Sequence, residues 1–133
     1  VAIATESGLV TPVLRNVEGM SVRHIAATTK DFAERARAGG LKQAELEGGS
    51  TSVTNLGMFG TEDFDAIINP PHASILAVGA AKEQPIVADG HITVGSVMKV
   101  TLSVDHRPVD GATAAEWMRE FVSLLESPAK ILA

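Results

Sequence analysis

Asp105-His106-Arg107-Pro108-Val109-Asp110-Gly111 is the segment whose residue types and spacing best suit chemistry. A histidine and an aspartate stand four positions apart, beside an arginine, where an apolar alternating run ends. Imidazole gains and loses a proton near neutral pH. A neighbouring carboxylate can orient such a ring and stabilise its charged form. The chemistry on offer is general acid–base catalysis. Spacing alone leaves a polar turn equally open.

Other candidates carry less. His24 lies in a helical pattern, His91 follows an Asp-Gly turn and His72 follows a proline pair, so each reads as a surface or capping histidine. His106 and Asp110 could both ligate a metal, but no third ligand stands at a familiar spacing, and no metal is expected. Glu45, Glu47, Glu62, Asp63 and Asp65 lie in polar stretches and read as solvated faces, not as a glycosidase pair. Asn55 to Gly60 lacks the lysine and hydroxyl residue of a phosphate loop, so Gly57 and Gly60 read as turn residues. No Gly-x-Ser-x-Gly elbow presents a serine nucleophile; Ser50 and Ser52 are the nearest offers.

The elements that must position these residues follow from periodicity. Residues 1–5 and 9–14 read as short strands around Glu6-Ser7-Gly8, with Pro12 restricting the second to an edge or a strand start. Ser21 caps a predicted helix whose apolar stripe is Val22, Ile25, Ala26, Thr29, Phe32, Ala33 and Ala36, ended by Gly39-Gly40. Residues 41–46 suggest one more helical turn. Ser50 to Thr54 is a predicted strand, Asn55 to Gly60 a loop and Asn69-Pro70-Pro71 a stiff turn. Ala73 to Ala80 is an apolar run suited to a strand buried on both faces. Asp89-Gly90 between two apolar runs predicts a tight hairpin. Residues 97–105 alternate as one strand, with Val97, Lys99, Thr101, Ser103 and Asp105 on one face. A closing helix runs from Gly111 to about Ser127, with Ala114, Ala115, Met118, Phe121, Val122 and Leu125 as its buried stripe. Strands and helices mix without strict alternation, which favours α+β packing.

Composition narrows the function classes. The 133 residues suit one domain or part of one, and 45% hydrophobic content permits a core. With only 4% aromatics, aliphatic side chains must fill it. Net charge is −5, and no basic stripe with interleaved aromatics suggests a nucleic-acid partner. No cysteine is present, which removes disulfides and a thiol nucleophile and fits a reducing compartment. No apolar run reaches the length of a membrane span, and no signal-peptide pattern opens the chain. The start inside an apolar segment, Val1 to Ala4, reads as a cut within a folded unit.

Several blocks together resemble a known family. His106-Arg107-Pro108-Val109-Asp110-Gly111 matches a His-Arg-x-x-Asp-Gly signature shared with chloramphenicol acetyltransferase. Gly48 to Gly60, with Thr54-Asn55-Leu56-Gly57, is similar to the Gly-Gly and Ser/Thr-Asn-Leu-Gly segment of the acyltransferase component of 2-oxo acid dehydrogenase complexes. Ile68-Asn69-Pro70-Pro71 followed by Ile75 to Gly79, the opening Gly8 to Val13 and the closing helix resemble the same family. The resemblance spans essentially the whole chain. It is nearest to the acetyl-transferring members of the pyruvate complex, with branched-chain, succinyl and acetoin relatives sharing the core motifs.

The resemblance implies an α+β fold, a two-layer sandwich with a mixed sheet and flanking helices, like chloramphenicol acetyltransferase. Residues 1–133 would be the C-terminal part of the catalytic domain, without the lipoyl and peripheral-subunit-binding domains. It implies acyl transfer between a lipoyl thioester and coenzyme A, with no metal. His106 matches the family's base, Thr54 its hydroxyl donor to the oxyanion and Asp110 its supporting aspartate, expected to form an ion pair for which Arg107 is the nearest cation. Asn55 and Gly57 would shape the substrate loop. The family's trimers build 24-mer or 60-mer cores, each site lying between subunits, with histidine from one and hydroxyl from its neighbour. Implied partners are the lipoyl domain and the decarboxylase and dihydrolipoamide dehydrogenase components, in the bacterial cytoplasm or mitochondrial matrix. A non-catalytic core subunit is the remaining alternative.

Overall fold

In the computed structural model, which describes residues 1–131, local sequence signals account for most of the elements. Strands β1 (Ile3–Thr5) and β2 (Gly8–Val10) pair antiparallel around Glu6-Ser7. The second predicted strand stops at Val10, because the chain then turns inward and Pro12 is fully buried. Helix α1 (Val22–Arg37) starts where Ser21 accepts a hydrogen bond from the His24 amide, the cap its hydroxyl predicts. Phe32 and Ala36 of α1 meet Ile3 in a small core that Val10, Leu14, Ala33 and Leu41 extend. Val22 and Ala26 of the predicted stripe are exposed.

The centre is a three-stranded mixed sheet. Strand β4 (Ser74–Val78) runs between a parallel β3 (Thr51–Asn55) and an antiparallel β7 (Val100–Val104). Ile75, Leu76 and Ala77 are buried on both faces, as the apolar run predicts. The peptide between Pro70 and Pro71, just ahead of β4, is cis. Strands β5 (Lys82–Ala88) and β6 (His91–Val97) form a separate hairpin. Asp89 and Gly90 both have positive φ at its tip, the turn that matches strand twist. The strand expected over 97–105 is two: β6 ends at Val97, Met98 and Lys99 bend, and β7 begins at Val100. The break moves the second half from one sheet to another.

Helix α2 (Gly111–Glu126) lies over the face formed by Val53, Leu76, Leu102 and Val104. Ala114 and Trp117 line, with that face, a cleft of about 290 Å³. Ala115, Val122 and Leu125 of the expected stripe are exposed, while Trp117 stacks on Phe121 at 5.1 Å. The chain exposes 9406 Å². A compact monomer of its mass would expose roughly 6,700 Å². Large apolar side chains are part of it: Ile67, Met58, Ile92, Val87 and Phe59 each keep most of their surface in solvent. Such surface is a signature of contact with further polypeptide.

Candidate active site

The segment after β7 is fixed at both ends. The Asp105 amide donates to the Ala73 carbonyl at 2.8 Å, extending the sheet ladder by one residue. The carbonyl of Asp105 then accepts from the Val109 amide at 3.1 Å, closing a turn of one helical pitch. Within it the Asp105 carboxylate accepts from the Arg107 guanidinium at 2.6 Å and from the Arg107 backbone amide at 3.0 Å. The guanidinium first, and then that amide, hold the Asp105 carboxyl down at about 2. Asp110 caps α2, its Oδ1 accepting from the Thr113 amide at 2.8 Å. His106 is therefore an exposed side chain on a loop anchored by a strand on one side and a helix cap on the other.

The expected Arg107–Asp110 ion pair does not form. Arg107 folds back onto Asp105, two residues away, while Asp110 is engaged by the first turn of α2. The Asp110 carboxyl sits below its ordinary range because of the Thr113 backbone amide, then the Thr113 side chain. Asp110 thus caps the helix that follows the His106 loop.

Thr54 lies elsewhere on the sheet. The register pairs Thr54 with Ala77 and Ala77 with Thr101. Asp105 lies four residues beyond Thr101 and two strands across from β3, which separates the two positions by roughly 15 Å at ordinary strand spacings. One chain thus does not bring Thr54 and His106 together. Thr54 and Ser52 share the sheet face opposite α2 and line a cavity of about 550 Å³ walled by Leu9, Phe64, Ile67 and Ile68. At the end of β3, Asn55 Oδ1 accepts from the Gly57 amide at 2.8 Å. A Cβ on Gly57 would stand 2.9 Å from the Gly79 carbonyl oxygen, so glycine lets this loop press against the end of β4.

A second polar feature was not legible as a site. His72, expected at the surface, is buried, and its Nδ1 shares a hydrogen bond of 2.5 Å with buried Ser52. The stiff Asn69-Pro70-Pro71 turn folds the histidine under β3 instead of outward. The one sequence signal was alternation, which puts Ser52 on the same face as Thr54. The acidic residues are also less free than expected. Glu45 is paired with Arg35 at 2.8 Å, while Glu62 and Asp63 pair with Lys82 and Lys99.

Residues 1–133 match the model of the 2-oxoacid dehydrogenases acyltransferase catalytic domain. The chain belongs to this acyltransferase family. It is 45% identical, over its full length, to the dihydrolipoyllysine-residue acetyltransferase component of the Zymomonas mobilis pyruvate dehydrogenase complex, covering 30% of that protein. It is 47% identical to the mitochondrial counterpart from Caenorhabditis elegans, with 99% of the chain and 26% of the relative aligned. Among solved structures, dihydrolipoamide acetyltransferase of Azotobacter vinelandii superposes with a TM-score of 0.92 at 36% identity, covering 99% of this chain and 54% of the other. The cubic core of a pyruvate dehydrogenase multienzyme complex gives 0.92 at 35% identity, again with 54% of its chain covered. The chain spans about half the length of these structures and under a third of the curated relatives. The α+β architecture with its mixed sheet is that of the acyltransferase catalytic cores.

Proposed function

We propose that this chain supplies the reacting side chains of a dihydrolipoamide acyltransferase, moving an acetyl group between a lipoyl thioester and coenzyme A. The observation that carries this reading is the placement of three residues. The Azotobacter enzyme was studied for the roles of a serine, a histidine and an asparagine in its catalytic mechanism, the histidine 52 positions after the serine and the asparagine four after the histidine. Thr54, His106 and Asp110 stand at the same intervals. Threonine retains the hydroxyl, and aspartate, like asparagine, caps a helix.

The chemistry asks little of the protein beyond these groups. A thiol with a pKa of about 8.5 is mostly protonated at neutral pH. The His106 imidazole takes the proton of the attacking thiol and returns it to the leaving thiol, help worth about 10²–10⁴ in rate. The Thr54 hydroxyl donates to the carbonyl oxygen as charge builds on it, a contribution of about 10²–10³ in kcat by analogy with single oxyanion donors. The cavity beside Thr54 has apolar walls at Leu9, Ile67 and Ile68 and polar groups at Ser52 and Asn69, which suits a short acyl thioester with an apolar tail and one carbonyl to bind. Asp110 holds the start of α2 and with it the His106 loop; Asn55 and Gly57 shape the end of β3 next to Thr54.

The separation of Thr54 from His106 favours a site shared between subunits, each contributing one group. The exposed apolar surface supports assembly of such a protein into homotrimers and a larger 24-mer or 60-mer core. On this reading the chain is the C-terminal part of a catalytic domain. Its lipoyl group arrives on another domain, its partners are the decarboxylase and dihydrolipoamide dehydrogenase, and it works in the bacterial cytoplasm or mitochondrial matrix. A single-turnover assay with acetyl-dihydrolipoamide and coenzyme A on the full-length protein tests the activity. Transfer in the wild type and its loss in His106→Ala are expected. A wild type without transfer, or an active His106→Ala, would overturn the reading.

A further inference from the structure

Ser52 and His72 are the buried polar side chains among the described residues, at 3% and 8% exposure. They are twenty positions apart in sequence, and neither has a part in the acyl-transfer chemistry above. Their hydrogen bond, Ser52 Oγ to His72 Nδ1, ties the middle of β3 to the turn that precedes β4. The ring is held from the other side as well. A Cβ on Gly49 would come within 2.5 Å of His72 Nε2, so the imidazole rests flush against the backbone leading into β3. The His72 amide donates to the Asn69 carbonyl at 3.0 Å, and the Ala73 amide donates to the Ser50 carbonyl at 2.9 Å. The turn and the strand are therefore stitched together at Ser50 and Ser52.

Thr54 is the next residue on the same face of β3 and shares its cavity with Ser52 and Asn69. Among the described residues its hydroxyl makes no side-chain hydrogen bond. A donor left free for substrate is aimed only by the position of its own backbone. That backbone runs in the ladder to β4, where Thr54 pairs with Ala77, and the nearest side-chain anchor before it on this face is Ser52. Catalytic donors need placement within a fraction of an ångström.

We propose that His72 is a positioning residue for the Thr54 hydroxyl, acting through Ser52 to fix the face of β3 from which Thr54 projects. The proposal rests on the reading of Thr54 as the oxyanion donor. Loss of the imidazole leaves the Ser52 hydroxyl buried without a partner and frees the strand to shift against the turn. The reacting carbonyl then meets a misplaced donor, which lowers kcat without weakening the binding of thioester or coenzyme A.

A double-mutant cycle on the full-length assembled enzyme tests this, with kcat and KM for acetyl-dihydrolipoamide and coenzyme A as readouts. His72→Ala is expected to lower kcat roughly 10–100-fold, since displacement by about 1 Å can cost about 10², with KM within about twofold. His72→Asn, whose amide can take the place of Nδ1, should restore most of the loss. In a Thr54→Val background, His72→Ala should cost nothing more, because the group it positions is gone. Ser52→Ala removes the same bond with little change of volume, and replaces His72→Ala if that variant does not assemble. Multiplicative losses in the double variant, or a rise in KM with kcat unchanged, would overturn the positioning role. A fully active Thr54→Val would instead overturn the oxyanion reading on which it rests.

Discussion

Gly79→Ala is expected to damage this fold more than any other glycine-to-alanine change in the chain. Gly79 follows β4 directly and is buried, with its amide donating to Lys99 and the next amide, Ala80, donating to Thr61. A Cβ built there would lie 2.1 Å from the Glu62 carbonyl oxygen, 2.7 Å from the Glu62 carbonyl carbon and 3.2 Å from the Lys99 oxygen. Ordinary contact begins at 3.4 Å, so the Glu62 backbone must retreat by about 1.3 Å. That segment is held by the Thr61–Ala80 bond and by the Lys82–Glu62 ion pair, and cannot move alone. Overpacking of this kind typically costs about 1–3 kcal/mol, and backbone on backbone belongs at the upper end. At about 3 kcal/mol the loss in Tm for a domain of 150–250 residues is roughly 6–12 °C. Gly95→Ala is the control. Its Cβ would stand 2.5 Å from Ile86 Cδ1, the free end of a side chain that can rotate away. It should cost under about 1 kcal/mol. Thermal and urea unfolding of the two full-length variants, with the m value checked for constancy, gives the comparison. Equal losses in the two, or an unaffected Gly79→Ala, would refute the argument from the rigidity of the neighbouring atom.

Thr54→Ser should retain most acetyl transfer, whereas Thr54→Val should lose about 10²–10³ in kcat with its melting temperature little changed; steady-state kinetics on both decides it. Asp110→Asn should keep both helix cap and activity, because asparagine caps as well as aspartate. Asp110→Ala should lower activity by loosening the start of α2, so an Asn variant as impaired as the Ala variant would show that charge matters more than the cap. The Arg35 guanidinium first, and then the Lys42 backbone amide, hold the Glu45 carboxyl down at about 2, from an ordinary 4.5. A depressed carboxyl contributes stability that is complete above its unfolded pKa and disappears as pH falls through its folded one. The difference in Tm between wild type and Glu45→Gln should therefore be constant above about pH 5 and shrink toward zero between pH 4.5 and pH 2.

Local chemistry was readable where it is decided locally. Ser21 at the start of α1, Asp89-Gly90 at the hairpin tip and the apolar core of β4 follow from capping, turn and burial rules acting over a few residues. The His106 loop was legible as a candidate for the same reason, since it lies between a strand end and a helix cap, although spacing alone left a polar turn equally open. What sequence missed is set by distant packing. The bend at Met98-Lys99 sends alternating residues into two sheets, and alternation carries no mark of which sheet a strand joins. His72 is buried only because the proline turn folds beneath β3. Ala115, Val122 and Leu125 have the period of a buried stripe, yet they stay exposed among the described residues. Arg107 was the obvious local cation for Asp110, whose partner the sequence left open; Asp105 lies nearer in sequence and closes the tighter ring.

The central claim, that Thr54 and His106 of different subunits form one site, is tested most directly by subunit mixing. Thr54→Val and His106→Ala full-length proteins, each nearly inactive alone, are co-expressed in equal amounts and assayed for acetyl transfer. If each site takes its histidine from one subunit and its hydroxyl from the next, random assembly around a closed ring leaves about a quarter of the sites with both groups intact. The account predicts recovery to about a quarter of wild-type activity. Mixed assemblies that remain as inactive as their parents would contradict it.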